Sequence, residues 1–205
     1  MFSDEFDDGK KADTEALNEF CQEERIGPED LFLESGNGNS SVEAPQWTEH
    51  HSQRLEAAAK KEDFESMKEL ASQAVFPETD GRHAFYNNGR ENRAAAEIAA
   101  KECGHFTLEQ TKAGADFDRV AREYSLREKN ERETNLVFQE LSGRFANETC
   151  ESAFVFERNG REKSIFNEVE AEKLQLRYQE GTLKNLISDS PEWKEGHGPL
   201  KNRKE

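Results

Sequence analysis

Cysteine is scarce in this 205-residue chain, which has only Cys21, Cys103 and Cys150. Three thiols so scattered cannot build a disulfide framework, so the fold must hold without one and a reducing compartment is expected. Long apolar runs are missing as well. No stretch approaches the roughly 20 residues that cross a bilayer, which predicts no membrane partner. The opening Met1-Phe2-Ser3-Asp4-Glu5 has neither the basic residues nor the apolar run of a secretory signal, so a cytoplasmic location is expected. Positive charge is in deficit: 28 Lys and Arg stand against 44 Asp and Glu, a net charge of −16. A chain this acidic, with no basic stripe, does not displace counterions from a nucleic-acid backbone, so no nucleic-acid partner is expected. Metal-ligand spacing is absent too. His50 and His51 are adjacent, and His83, His105 and His197 have no Cys or carboxylate at ligand spacing. Asp4, Asp7 and Asp8 before Gly9 lack the alternating oxygens and closing Glu of a calcium loop. No phosphate loop, dinucleotide fingerprint or Gly-x-Ser-x-Gly elbow occurs.

What is present is unevenly distributed. Hydrophobic residues make up 33% and charged residues 35%, so part of the chain is expected to lack a packed core. The acidic excess locates that part. Residues 1–45 hold thirteen Asp or Glu against Lys10, Lys11 and Arg25, and they end in the Gly36–Ser41 linker. They read as an acidic, largely disordered arm with one short helix over Thr14–Arg25 and an apolar patch at Leu31-Phe32-Leu33. A folded domain is expected over 46–190, followed by a polar tail over 191–205.

Within the domain, helical residues run from Thr48 to Val75, with Leu55, Ala59, Phe64, Met67, Leu70 and Ala74 as the inward stripe. Pro77–Arg82 is turn-like. His83–Glu91 sets two aromatics and two amides before an alanine-rich helix, Asn92–Cys103, closed by Gly104. A turn is expected at Gly114, then a helix over Asp116–Tyr124. Arg127–Thr134 is too charged for core. The helix Glu131–Asn147 turns Val137, Leu141 and Phe145 inward, with Phe138 and Ser142 on the adjacent stripe. Ser152–Phe156 is the most strand-like run, and Asn159-Gly160 turns the chain back toward Lys163–Phe166. Glu168, Glu170 and Glu172 then alternate as on one face of an extended segment. A short helix is expected over Thr182–Ile187. Cys150 reads as a structural thiol, because no His is placed to activate it.

Four blocks in order over residues 84–188 resemble the ADP-ribosyl cyclase family of NAD glycohydrolases and cyclases. Phe85-Tyr86-Asn87-Asn88-Gly89-Arg90 is similar to the family's Phe-Trp-Ser-x-x-Lys/Arg lip. Phe106-Thr107-Leu108-Glu109-Gln110-Thr111, with Gly114 and Asp118, is similar to its Thr-Leu-Glu-Asp-Thr motif and the Gly and acidic residue that follow. Val137-Phe138 through Ser142-Gly143-Arg144-Phe145-Ala146, then Cys150, resembles its Phe-Trp-x-x-x-Ser-x-Arg-Phe-Ala helix. Phe166-Asn167-Glu168-Val169-Glu170, then Leu174-Gln175, resembles the Phe-x-x-Val-Glu catalytic segment. Tyr86 and Phe138 stand where the family has stacking Trp residues, and the family's extracellular disulfide cysteines are absent apart from Cys150. These departures indicate a cysteine-poor intracellular or bacterial-toxin-like branch.

The resemblance implies an α+β fold, a helical N-terminal part packed with a small, mostly parallel α/β sheet, with a cleft between them. It also implies hydrolysis of NAD or NADP, with some cyclic ADP-ribose, no cofactor and no metal. Glu170 would be catalytic, while Glu168 and Glu172 are surface charge. Substrate binding would fall to Tyr86 and Phe138 for the ring, Glu109 and Asp118 for the carboxamide and Ser142 for ribose. Asn87, Asn88, Ser164 and the backbone at Phe166 would take the diphosphate, with Arg90 supplying charge. A toxin or effector delivered into a target cytosol would imply an immunity or regulatory partner. Two other readings stay open: a catalytically weak member that only binds nucleotide, motivated by the lost Trp residues, and a protein–protein interaction module or nucleic-acid mimic built on the acidic arm.

Overall fold

The computed structural model describes residues 45–87, 89–157 and 163–188, all within the unit that starts at Ala44. The expected arm, the tail beyond Pro191, the Asn159-Gly160 turn and Asn88 lie outside the described residues.

Where one helix from Thr48 to Val75 is expected, there are two, α1 (Glu49–Lys60) and α2 (Phe64–Ser72). The break falls at Glu62, which takes a φ of 55°, and at Asp63, whose carboxylate accepts Ser66 N–H at 3.1 Å. A capping side chain there competes with continuation of the helix. Leu55, Ala59, Met67, Leu70 and Ala74 are buried as their spacing requires, while Phe64 is half-buried. Trp47, just before α1, is buried with its indole N–H donating to Asp116 Oδ2 at 2.9 Å and its ring against Phe117.

Strand β1 (Arg82–Tyr86) runs into α3 (Arg90–Cys103), which Gly104 closes in the left-handed conformation, φ 65°. Phe106 then bonds along the free edge of β1: Ala84 N–H donates to Phe106 O at 2.8 Å, and Phe106 N–H to Arg82 O at 3.1 Å. That pairing carries the next residues, a 3₁₀ turn at Leu108–Gln110, alongside the carboxyl end of β1. Gly114 lies in the first turn of α4 (Lys112–Glu123) and is not a separate turn; the Thr111 hydroxyl caps it by accepting Gly114 N–H at 3.0 Å. The charged stretch 127–134 forms α5 (Leu126–Lys129) and the start of α6 (Glu131–Glu148), and Thr134 within it is buried.

Strand β2 (Ser152–Phe156) follows the sequence expectation, and the segment after residue 162 does not. Phe166–Glu170 is a widened π turn continuing into α7 (Ala171–Gln179), with Ala171 N–H reaching back to Phe166 O. Over Thr182–Ile187 the expected helix is replaced by β3 (Asn185–Ser188), whose Leu186 and Ile187 pair with Ala153 and Phe154. Short apolar runs carry no decisive period, and here the unpaired side of β2 recruits the segment.

The three strands form a parallel sheet in the order β1-β2-β3, in an α+β arrangement with seven α-helices among the described residues. Parallel neighbours need long crossovers, and α3 through α6 supply the first and α7 the second. Val137, Leu141 and Phe145 of α6 are fully buried between the sheet and the α1–α2 pair. Gly81, with φ 73°, lets the β1 and β2 starts meet: its carbonyl accepts Cys150 and Glu151 N–H, and a Cβ there would collide with Cys150 Sγ. Cys150 is a free, half-buried thiol. Among the described residues no helix is long and apolar enough to cross a membrane.

Candidate active site

Ligands of open parallel sheets sit beyond the carboxyl ends of the strands, where loops diverge and backbone groups are free. A cavity of about 640 Å³ opens here at the carboxyl end of β1, walled by α6, the first turns of α4 and the 164–170 segment. That size suits a small-molecule ligand.

Glu170 reaches the cavity because its segment is helical. In a helix, residues i and i+4 share a face and i+2 lies across it. Glu168 and Glu172 are accordingly exposed, and Glu170 between them is 8% exposed. The alternating face expected for the three carboxylates is therefore replaced by a helical split that singles out Glu170. Gly143 of α6 makes room for this segment, since a Cβ there would press Val169 and Lys173 at 3.1 and 3.2 Å. Burial lifts the Glu170 carboxyl to about 8, the negative charge of Glu109 adds to the shift, and a hydrogen bond with the Ser142 hydroxyl opposes it.

Glu109 comes from the 3₁₀ turn that Phe106 anchors to β1. Gly114 lets that turn close on α4, because a Cβ at 114 would overlap the Leu108 carbonyl. The Tyr86 hydroxyl donates to Glu109 Oε1 at 2.5 Å. Burial, first, and the Glu109 charge hold the Tyr86 phenol far above its ordinary range, so it stays a donor. Phe138 and Ser142, one turn apart on α6, face the same space.

Of the residues expected from sequence, Tyr86, Glu109, Asp118, Phe138, Ser142, Ser164, Phe166 and Glu170 line one cavity. Asp118 is also paired with Arg122 at 2.7 Å. Asn87 and Arg90 are not among the lining residues. Asn87 is buried beside the site, its N–H donating to Phe156 O at 2.8 Å, and its side-chain carbonyl has no hydrogen-bond partner. Arg90 is exposed at the start of α3. Asn88 lies outside the described residues.

Sequence reasoning missed Arg127, Glu131, Asn135, Gln139, Lys163 and Glu168 as lining residues. Helical spacing back from Phe138 through Asn135 to Glu131 was a usable signal; for Arg127 there was none, because its place depends on the turn before α5. Arg127 and Lys163 are the cationic residues of the lining, against five carboxylates. Among the described residues, no group of three His, Cys, Asp or Glu is arranged to hold a metal ion.

A buried carboxyl, aromatic faces and an acidic wall together suit a flat, cationic ligand. Comparison with known proteins adds no assignment, since no protein-family model and no curated protein matches the chain.

Proposed function

We propose that this chain is an NAD(P) glycohydrolase, cleaving the nicotinamide–ribose bond to nicotinamide and ADP-ribose, with cyclic ADP-ribose as a minor product, in the role of a toxin or effector that depletes NAD. The observation that carries the reading is the seating of Glu170, buried in the same cavity as Tyr86, Glu109, Phe138 and Ser142.

The chemistry asks for little more. Nicotinamide in NAD already carries positive charge, so when the C1′–N bond breaks, its electron pair neutralises the ring and the leaving group needs no proton. Ordinary glycosidases need a second carboxyl to protonate the leaving oxygen; here one suffices. An ionised Glu170 below the ribose stabilises the oxocarbenium-like transition state. Water then adds to C1′ and loses a proton. The faces of Tyr86 and Phe138 receive the pyridinium, each worth about 0.5–2 kcal/mol through stacking and cation–π attraction. Glu109, oriented by the Tyr86 hydroxyl, and Asp118 take the carboxamide, and Ser142 takes a ribose hydroxyl. In the empty cavity Glu170 is largely protonated at neutral pH, and the arriving cation favours its ionised form. Substrate binding therefore releases a proton and sets the charge that the reaction uses.

The test compares the intact protein with Glu170→Gln on an etheno-NAD substrate by fluorescence. At least a ~10³-fold loss of rate is expected, as for removal of a principal electrostatic stabiliser. Equal rates in the two proteins would remove the proposal.

A further inference from the structure

Arg127 is placed by an unusual backbone. Ser125, a non-glycine residue with φ 49° and ψ 40°, turns the chain, and its carbonyl accepts Glu128 N–H at 3.1 Å and Lys129 N–H at 3.1 Å. Strained residues of this kind persist where the surroundings hold them. The turn buries Leu126 completely and sets Arg127 at the edge of the cavity. There its guanidinium lies over the Phe138 ring, 5.2 Å from the centroid. Glu131 stands one turn further on and also lines the cavity, yet no ion pair joins Arg127 to it or to another carboxylate among the described residues. The same cation–π attraction that would hold a pyridinium thus holds Arg127 when the cavity is empty.

A ring that takes the face of Phe138 must displace this guanidinium. The displaced group then needs a new partner. A phosphate beside the ribose provides one, because a guanidinium binds phosphate in paired hydrogen bonds. A ligand without phosphate leaves it unpartnered. Lys163, the second cation of the lining, covers no ring among the described residues.

Resting on the glycohydrolase reading, we propose that Arg127 is a two-position specificity residue: it covers Phe138 in the empty cavity and turns onto a ligand phosphate when a nicotinamide ring takes that face, so that phosphate-bearing nicotinamide nucleotides are selected over the phosphate-free riboside. The consequence is a pair of opposite effects. Removing Arg127 strips a competitor from Phe138 and so favours a riboside, while the same change takes the phosphate partner from a nucleotide.

The experiment measures KM and kcat on NAD, nicotinamide mononucleotide and nicotinamide riboside for wild type, Arg127→Met, Lys163→Ala and, as an exposed control on α1 outside the cavity, Arg54→Ala. Binding of the same ligands to Glu170→Gln is followed by calorimetry, and melting curves confirm folding. For Arg127→Met, KM should rise about tenfold on both nucleotides and fall about threefold on the riboside, with kcat little changed. Lys163→Ala should raise KM on the nucleotides without helping the riboside, and Arg54→Ala should move neither. Shifts of the same sign on all three ligands in Arg127→Met overturn the inference while leaving the glycohydrolase reading intact. Failure of the wild type to cleave any of the three and of Glu170→Gln to bind them overturns that reading, and this inference with it.

Discussion

Glu170 holds its proton in the empty cavity, while the proposed reaction uses its ionised form. Burial, helped by Glu109, lifts its carboxyl to about 8 in the empty cavity. If the reaction needs the ionised group, kcat/KM, which reports the free enzyme, should rise with pH, reach half its plateau near pH 8 and level off about one unit above. The kcat profile reports the occupied site, where the pyridinium favours ionisation, so its rising limb should lie at lower pH. Parallel limbs in initial-rate measurements across pH 5–9 would separate Glu170 from the titrating group. The isolation of this one carboxylate was legible in the sequence through the Phe-x-x-Val-Glu pattern, but the reason first given for it was not the operative one. A strand would have turned Glu168, Glu170 and Glu172 to one side; a helix divides them, and only the helical reading explains why two are exposed and one is buried.

At the scale of elements, the site depends on small residues that let segments touch. Gly114 is the sharpest case. A methyl group at this position would strike the Leu108 carbonyl, in the turn that presents Glu109 to Tyr86. Gly114→Ala should therefore cost about 1–3 kcal/mol of stability, as overpacking does, and reduce kcat by an order of magnitude or more by displacing Glu109. Denaturant melts and turnover on etheno-NAD check the two effects, and a variant as stable and active as wild type would mean the turn yields freely. Helices α3 and α6 were readable from composition and period because each is long and strongly patterned. Strand β1 was not, since His83-Ala84-Phe85-Tyr86 is too short and apolar throughout to show alternation, and its identity comes from pairing with β2 and with Phe106 on its other edge. The same shortage of period made β3 look helical. Eight of the expected site residues still meet in one cavity, because the motifs that carry them sit on the elements nearest the strand ends.

For the whole molecule, three buried groups set opposing dependences of stability on pH. His83, between the Thr79 and Thr149 hydroxyls and stacked on Phe145, is pushed by burial down to about 3, and His105, bonded to Ser152, to about 4. Below pH 6.5 the unfolded chain binds protons that these imidazoles refuse, so stability falls as the solution is acidified. Glu170 acts in the other direction. Between about 4.5 and 8 the folded protein keeps a proton that the unfolded chain releases, so stability falls as pH rises across that range. The two slopes cancel near pH 6.5, where Tm should be highest, with about 2–4 °C lost per kcal/mol on either side. Glu170→Gln should flatten the alkaline side and steepen the acid side between about pH 4.5 and 6.5, where Glu170 no longer opposes the histidines; a wild-type Tm that climbs steadily to pH 8.5 would contradict the assignment of these groups.

Trp47 gives that measurement an optical channel. Its indole is buried, bonded to Asp116 and packed on Phe117, and both partners belong to α4, the helix whose Gly114 and Asp118 line the cavity. Any loosening of α4 brings water to the indole, so in a Trp193→Phe background, where Trp47 is the sole tryptophan, a red shift of emission marks the moment the cavity wall gives way, separately from the loss of total helix.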